Sequence, residues 1–264
     1  IQYYKERMYF DLELQCFMVD FDEKILNLKP YTKIDGYFQS EKYFFNDYDY
    51  FKTLFSIKLN LLDEKFIDKN VCVLNIRGGE YKGNKELILP KIYWINAMKN
   101  MRKKFNINNF IIVTDDEKYS KALFPDISIS KKGIAESYIA LHQAEYLIIS
   151  NSSFAYFPIK TKTKKPFVIA PMYWARYNNI FERWASPANL YLDWNWQDDT
   201  GNLKSYNECL GLYEDNMRYY HDNYNIMVKD NISKYTDKFS IKIHTLRILK
   251  KIIKAVFPVY LIRK

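Results

Sequence analysis

Tyr146-Leu147-Ile148-Ile149-Ser150-Asn151-Ser152-Ser153-Phe154 is the stretch on which the reading of this chain turns. Residues 146–149 are a short apolar run of the kind that makes a buried strand, and small polar residues end it abruptly. Backbone N–H groups and hydroxyls at a strand end, where a helix can begin, are well placed for a phosphate. The orphan donors and the helix dipole both favour an anion there. The plainer role for Asn151 or Ser152 is that of an N-cap.

Working outward, the same grammar repeats. Upstream, Val71 to Ile76 is apolar but for Asn75 and runs into Arg77-Gly78-Gly79-Glu80-Tyr81. Pro90 opens a predicted helix to about Phe105, with Ile92, Ile95, Met98 and Met101 near three-residue spacing. Asn109 to Val113 reads as a second strand, ending in Thr114-Asp115-Asp116. A short helix over Glu117–Leu123, a weak strand at Ile127–Ile129 and a helix over Ile134–Ala144 lead to the quoted strand. Downstream, Phe167 to Ala170 is another strand, closed by Pro171.

Strands that are apolar runs, alternating with helices, mean a parallel sheet covered on both faces, an α/β fold. Ligands of such sheets bind outside the carboxyl ends of the strands. The polar clusters fall there: Arg77, Asp115-Asp116, Ser152-Ser153 and Pro171-Met172-Tyr173-Trp174.

The flanks are less regular. Residues 1–30 show no clear period. Asp35-Gly36 is a turn signal, and the aromatics that follow to Phe44 are either a packed edge or an acceptor-facing wall. Residues 47–68 have the spacing of a surface helix. Residues 174–239, rich in Trp, Tyr, Asn and Asp, are expected to be irregular and to wrap back over the fold. The tail, 240–264, carries seven Lys or Arg and no acid. It is either a basic amphipathic helix lying on an anionic membrane surface or a terminal helix docked on the core.

Composition sets the limits. With 264 residues and 48% hydrophobic content, the chain can build one large domain or two small ones. A net charge of +9 and a pI near 9.1 favour anionic partners such as sugar nucleotides or phospholipid. Nucleic acid is disfavoured, because the basic residues gather in the tail rather than interleaving with aromatics. Cys16, Cys72 and Cys209 are odd in number and widely spaced, and there are three histidines, which argues for a reducing compartment and against zinc. Neither a signal-peptide pattern nor an apolar run long enough for a bilayer is present.

No GxGxxG, GxxxxGK[ST] or GxSxG occurs, which weakens the dinucleotide, P-loop and serine-hydrolase readings. Arg77 opposite a Ser-Ser cradle fits a diphosphate leaving group, which an arginine can grip bidentately. In glycosyl transfer the growing charge sits on that diphosphate, so a fixed cation and N–H donors lower the barrier. With no evident metal-ligand set, Arg77 takes the part a divalent ion plays in other transferases.

These stretches resemble the bacterial α-1,2-fucosyltransferases and, more distantly, the α-1,6- and protein O-fucosyltransferases. The matching segments are Asp35 to Phe44, Asn75 to Tyr81, Val113 to Asp116, Ile148 to Phe154, and Phe167 to Pro171 with Trp174, in family order over residues 34–175. The resemblance implies a GT-B-like, Rossmann-type fold and a metal-independent, inverting transferase with no cofactor beyond its nucleotide-sugar donor, GDP-fucose first among them. Its acceptor would be an oligosaccharide or lipid-linked glycan of the bacterial surface, and its place cytoplasmic or peripheral on the inner membrane face.

The chain departs from the family pattern His-x-Arg-Arg-Gly-Asp-Tyr, with Asn75 for the histidine, Gly78 for the second arginine and Glu80 for the aspartate. A family aspartate that helps recognise guanine falls at Ser137, beside Glu136. The family's N-terminal Gly-Gly-x-Gly-Asn-Gln segment is absent, so residues 1–68 are expected to be an acceptor-side region, smaller and either incomplete or diverged. Residues 69–200 would form the nucleotide-sugar domain and 201–264 wrap-around helices with the basic tail.

The expected roles follow. Arg77 stabilises the leaving diphosphate, with Asn75 beside it; Asn151, Ser152 and Ser153 cradle the phosphates. Asp115 and Asp116 hold the sugar or organise a turn. Glu136 is the guanine candidate, and Glu80 either orients Arg77 or acts as general base. Tyr37 and Gln39 face the acceptor.

Overall fold

In the computed structural model the described residues are 2–5, 8–11, 16–19, 21–36, 38–43, 53–54, 66, 68–83, 87–130, 133–172, 177–178, 183–184 and 189–223. The surface helix expected over 47–68 falls mostly outside them. Tyr37, Tyr173, Trp174 and the tail 240–264 lie wholly outside.

The N-terminal strands pair among themselves. Strand β1 (Tyr3–Lys5) lies parallel to β4 (Lys33–Asp35), and β2 (Met8–Asp11) lies antiparallel to β3 (Cys16–Val19). The main sheet begins at β5 (Val71–Ile76) and adds β6 (Asn109–Thr114), β7 (Ser128–Ile129), β8 (Tyr146–Ile149) and β9 (Phe167–Pro171). A two-residue ladder, β10 (Tyr177–Asn178) with β11 (Arg183–Trp184), precedes its last members, β12 (Asn195–Gln197) and β13 (Leu203–Lys204).

Across the sheet the order is β13-β12-β9-β8-β5-β6-β7, parallel throughout except for β13 at one edge. Numbering the six parallel strands by appearance gives 3-2-1-4-5-6, the doubly wound order, which reverses between β5 and β8. The sheet is thus α/β and parallel, as the apolar runs require. Strand β12 was not foreseen: it inserts Trp196, fully buried, beside β9.

Alternation along each strand feeds two cores. Cys72, Leu74, Ile76, Ile112 and Ile148 face one way and pack on α1 (Lys91–Phe105) and α2 (Glu117–Leu123). Val73, Val113, Leu147, Ile149 and Val168 face the other way, toward α3 (Ile134–Gln143), α4 (Tyr156–Lys160) and α5 (Tyr206–Asp222). Each fully buried aliphatic side chain contributes about 1.5–3 kcal/mol, so both sheet faces are held strongly.

Helix α1 starts after Pro90 and closes at Asn106, whose φ of 56° is the left-handed cap. Its buried stripe is Tyr93, Trp94, Ala97, Met98 and Met101, and Ile92 is half exposed, so the expected face is rotated by about one position. Helix α5 lies inside the stretch 174–239 that was expected to be irregular, and inside 201–264, where wrap-around helices were expected. It runs 17 residues behind a capping box in which Ser205 accepts from the Glu208 N–H and Glu208 accepts from the Ser205 N–H. Among the described residues no helix is long and apolar enough to cross a membrane.

Candidate active site

The strand reversal places the carboxyl ends of β5 and β8 side by side, with β6 next to β5. There a cavity of about 440 Å³ is walled by Asn75 and Ile76 of β5 with Arg77 just beyond it, and by Val113 and Thr114 of β6 with Asp115 just beyond it. Glu117 of α2, the Gly133-Ile134 entry to α3 with Ser137, and Ser152 and Phe154 beyond β8 complete it. The two groups expected to face each other across a diphosphate, Arg77 and Ser152, are therefore on the wall of one cleft.

Arg77 is braced. Its Nη1 lies 2.9 Å from Asp115 Oδ2, its Nη2 lies 3.2 Å from Glu80 Oε1, and the guanidinium stands 5.6 Å from the Tyr81 ring centroid. A guanidinium has five N–H donors, so these two contacts leave others for a ligand. Asp115 also accepts the Gly78 N–H at 2.8 Å, which ties the β5 loop to the end of β6. Glu80 is largely exposed, with its side chain 74% accessible, and its contact with Arg77 is an ion pair within the loop.

The glycines let that loop lie flat. A Cβ on Gly79 would come 2.5 Å from Asp115 Oδ2. A Cβ on Gly78 would come 2.7 Å from Asp116 Cβ and 2.9 Å from Tyr119 Cδ1. The position where the resemblance has a second arginine is thus packed shut by the start of α2.

Asp116 takes a different part from Asp115. It caps α2 by accepting the Tyr119 N–H at 2.9 Å and pairs with Lys82. The Lys82 ammonium, then the Tyr119 N–H, holds its carboxyl below the usual carboxylate range. Thr114 supports the turn by accepting the Asp116 N–H at 3.0 Å.

The β8 end differs from the expected helix N-terminus. Ser153–Ala155 is a 3-10 turn and α4 has only five residues, too short for much of a dipole. Ser152 precedes the turn but its side chain makes no capping bond, which leaves the hydroxyl for the cavity. Asn151 points elsewhere: its side-chain amide donates to the Leu87 carbonyl at 3.1 Å. Its backbone carbonyl accepts the Tyr81 hydroxyl at 3.1 Å. Ser153 is exposed at the start of the turn.

Two buried polar atoms at the carboxyl ends of β5 and β8 lack partners among the described residues: Asn75 Oδ1, on the cavity wall, and Ser150 Oγ. Such groups cost free energy unless a ligand or water satisfies them.

Glu136 is exposed and folds its carboxylate against Gly133, while the wall itself is made by Ser137. Gln39 is half-buried and lies off the wall, and its neighbour Glu41 anchors α4 by accepting the Tyr156 hydroxyl at 2.6 Å. Sequence reasoning did not single out Thr114, Glu117, Ile134 or Phe154 as wall residues. Ile134 is 81% exposed at the cleft.

Fold and cleft together define a doubly wound α/β protein with a cavity of mixed polar and apolar lining at its strand-order reversal, the crevice where such sheets bind ligands. No protein-family model matches the chain. It is similar to an α-1,2-colitosyltransferase of Escherichia coli, 26% identical over 167 residues, which cover 56% of this chain and 58% of that protein. The chain therefore spans little more than half the length of that curated relative, and a glycosyltransferase is among its distant relatives.

Proposed function

We propose that this protein is a GT-B-like, inverting glycosyltransferase that moves fucose or a related deoxyhexose such as colitose. The donor would be a nucleoside-diphosphate sugar, GDP-fucose first, and the acceptor a glycan hydroxyl in bacterial surface polysaccharide synthesis. The observation that carries the reading is that Arg77 and Ser152 wall one cleft at the strand-order reversal. The likeness to the colitosyltransferase supports the class of reaction.

In this reading the donor diphosphate lies between Arg77 and Ser152. As the glycosidic bond to the diphosphate breaks, charge grows on the leaving oxygen and the guanidinium stabilises it, without a metal ion. Asp115 and Glu80 hold the guanidinium in place meanwhile. Asn75 Oδ1 and Ser150 Oγ gain partners from the bound donor or its waters. Ile134 and Phe154 offer apolar surface to the nucleoside. The acceptor hydroxyl loses its proton to a base as it attacks the anomeric carbon from the side opposite the diphosphate. The basic tail, outside the described residues, would hold the enzyme on an anionic membrane face.

A second reading keeps the fold with another nucleotide sugar. Asn75 and Ser137, which replace a histidine and an aspartate of the resembled family, favour it. Thermal denaturation with GDP, UDP, CMP and dTDP separates the two. A ligand at a hundred times its Kd stabilises by about 2.7 kcal/mol, so the cognate nucleotide should raise the melting temperature by several degrees. A larger shift with a nucleotide other than GDP selects the second reading, and no shift with any of them overturns both.

A further inference from the structure

The opposite end of the sheet holds a second concentration of charge. At the amino ends of β8 and β9 a cavity of about 360 Å³ is lined by Phe105, Gln143, Glu145, Tyr146, Phe167 and a basic turn that includes Lys162, Lys164 and Lys165. Two basic runs that are distant in sequence meet here. Arg102-Lys103-Lys104 ends α1, and Lys162 to Lys165 joins α4 to β9. The rings of Phe105 and Phe167 bring them together, 4.7 Å apart between centroids, with the Lys104 ammonium 4.9 Å from the Phe167 centroid.

The cations outnumber the acids that answer them. Glu145 pairs with Lys164 at 2.7 Å and also feels Lys69 and Lys162, while Asp193 pairs with Lys165. Lys162 is the most enclosed of the group. Its ammonium donates to the Gln143 carbonyl at 3.1 Å and the Ala144 carbonyl at 2.5 Å, the last carbonyls of α3. Its third N–H has no acceptor among the described residues. Burial, with Lys164 adding to it against Glu145, brings its pKa down to about 8, so an anion placed there would relieve a real electrostatic cost.

We propose that this basal cavity is a second anion site, which takes a phosphoryl group on the ammonium groups of Lys162, Lys164 and Lys165. It lies at the other end of the same strands from the candidate active site and is independent of the proposed transferase reaction. A phosphoryl group reaches such a site either on an anionic lipid headgroup or as free phosphate. The competing role for Lys162 is to cap α3, which predicts a stability loss on substitution and no ligand effect.

The test uses the full chain carrying Arg77→Ala, so that anion binding at the candidate active site does not enter. Calorimetric titration with inorganic phosphate should show binding that weakens roughly tenfold in Lys162→Gln/Lys164→Gln/Lys165→Gln. The charge-matched control, Lys24→Gln/Lys29→Gln/Lys99→Gln, should bind as the parent does. If the first variant melts early, Lys164→Gln/Lys165→Gln, which keeps the α3 cap, serves instead. Flotation with phosphatidylglycerol vesicles, against phosphatidylcholine alone, distinguishes the source. Because the basic tail would hold the chain on the same vesicles, the readout is the difference between parent and basal variant: weaker flotation of the basal variant assigns a lipid headgroup, and equal flotation with phosphate binding assigns a free phosphate. Absence of phosphate binding, or equal loss in the control, overturns the proposal. The nucleotide panel on the native chain stands whichever way this falls.

Discussion

The loops that follow β5 and β8 meet at one cleft but are built in opposite ways. After β5 the charges are answered locally: Arg77 by Asp115 and Glu80, Lys82 by Asp116, with Gly78 and Gly79 pressed against the carboxylates that hold the loop. After β8, among the described residues, the Ser150 hydroxyl has no partner and the Ser152 side chain makes no capping bond. The loop after β5 is braced before any ligand arrives, whereas the end of β8 keeps hydroxyls that are not engaged, of which Ser152 stands on the cleft wall. Catalysis by fixed charge requires that division, since a guanidinium that must reorganise at the moment of reaction gives up part of what it gains.

The sharpest test of the braced side is Arg77→Ala. Loss of a single charge-stabilising group should lower sugar-transfer turnover by roughly 10²–10³-fold. Its ion pairs are partly exposed, so stability should change by less than about 1 kcal/mol. Turnover and thermal melting of the same preparation check both, and a variant that transfers sugar normally would remove Arg77 from the mechanism.

Next in size is Gly78→Arg, which places an arginine where the resembled family has one. A Cβ here meets Asp116 and Tyr119 at 2.7 and 2.9 Å. Overpacking of that kind costs about 1–3 kcal/mol, read as a lower urea midpoint. An unchanged midpoint would mean the loop is free to lift, and the contrast between the two sides would weaken.

Much of this was legible in the sequence, for reasons of solvent. A parallel sheet buried on both faces needs strands without polar alternation, and β5, β6, β8 and β9 announce themselves that way. Strand β12 does not, because three residues, Asn195-Trp196-Gln197, carry no period. The bounds of helix α5, within the wrap-around helices expected over 201–264, were hidden by its Tyr, Asn and Asp content, although Ser205-Tyr206-Asn207-Glu208 spells a capping box. At the site, Arg77 and Ser152 were visible because strand ends are where such sheets work. The clamp between Arg77 and Asp115, the folding of Glu136 onto Gly133 and the exposure of Ile134 depend on where distant segments meet, which spacing does not encode.

A smaller effect separates capping from charge at Asp116. Asp116→Ala removes both and should cost about 1 kcal/mol. Asp116→Asn keeps an acceptor for the Tyr119 N–H and should cost less. The native carboxyl is held below its ordinary value, so its ionised form contributes stability at pH above the usual carboxylate range. That contribution is lost as pH falls through the depressed folded value. Urea midpoints against pH should therefore show a shallower acid decline in Asp116→Asn than in the parent, and identical acid limbs would mean that Lys82 contributes nothing.

The smallest expected change is on the open side. Ser150 is buried, its backbone N–H donates to the Asn75 carbonyl at 3.0 Å, and its own carbonyl accepts the Ser152 N–H at 2.8 Å. Ser150→Ala leaves both of those bonds and deletes only the unpartnered hydroxyl. A buried polar atom without a partner is a cost that alanine relieves, so the unliganded protein should melt within about 0.5 kcal/mol of the parent or slightly higher. In the proposed reading the same substitution should shrink the melting shift given by the cognate nucleotide, because the bound donor or its waters would supply the partner that the hydroxyl lacks among the described residues. A marked destabilisation without ligand would mean that Ser150 already belongs to a complete network. The β8 side would then be as closed as the β5 side.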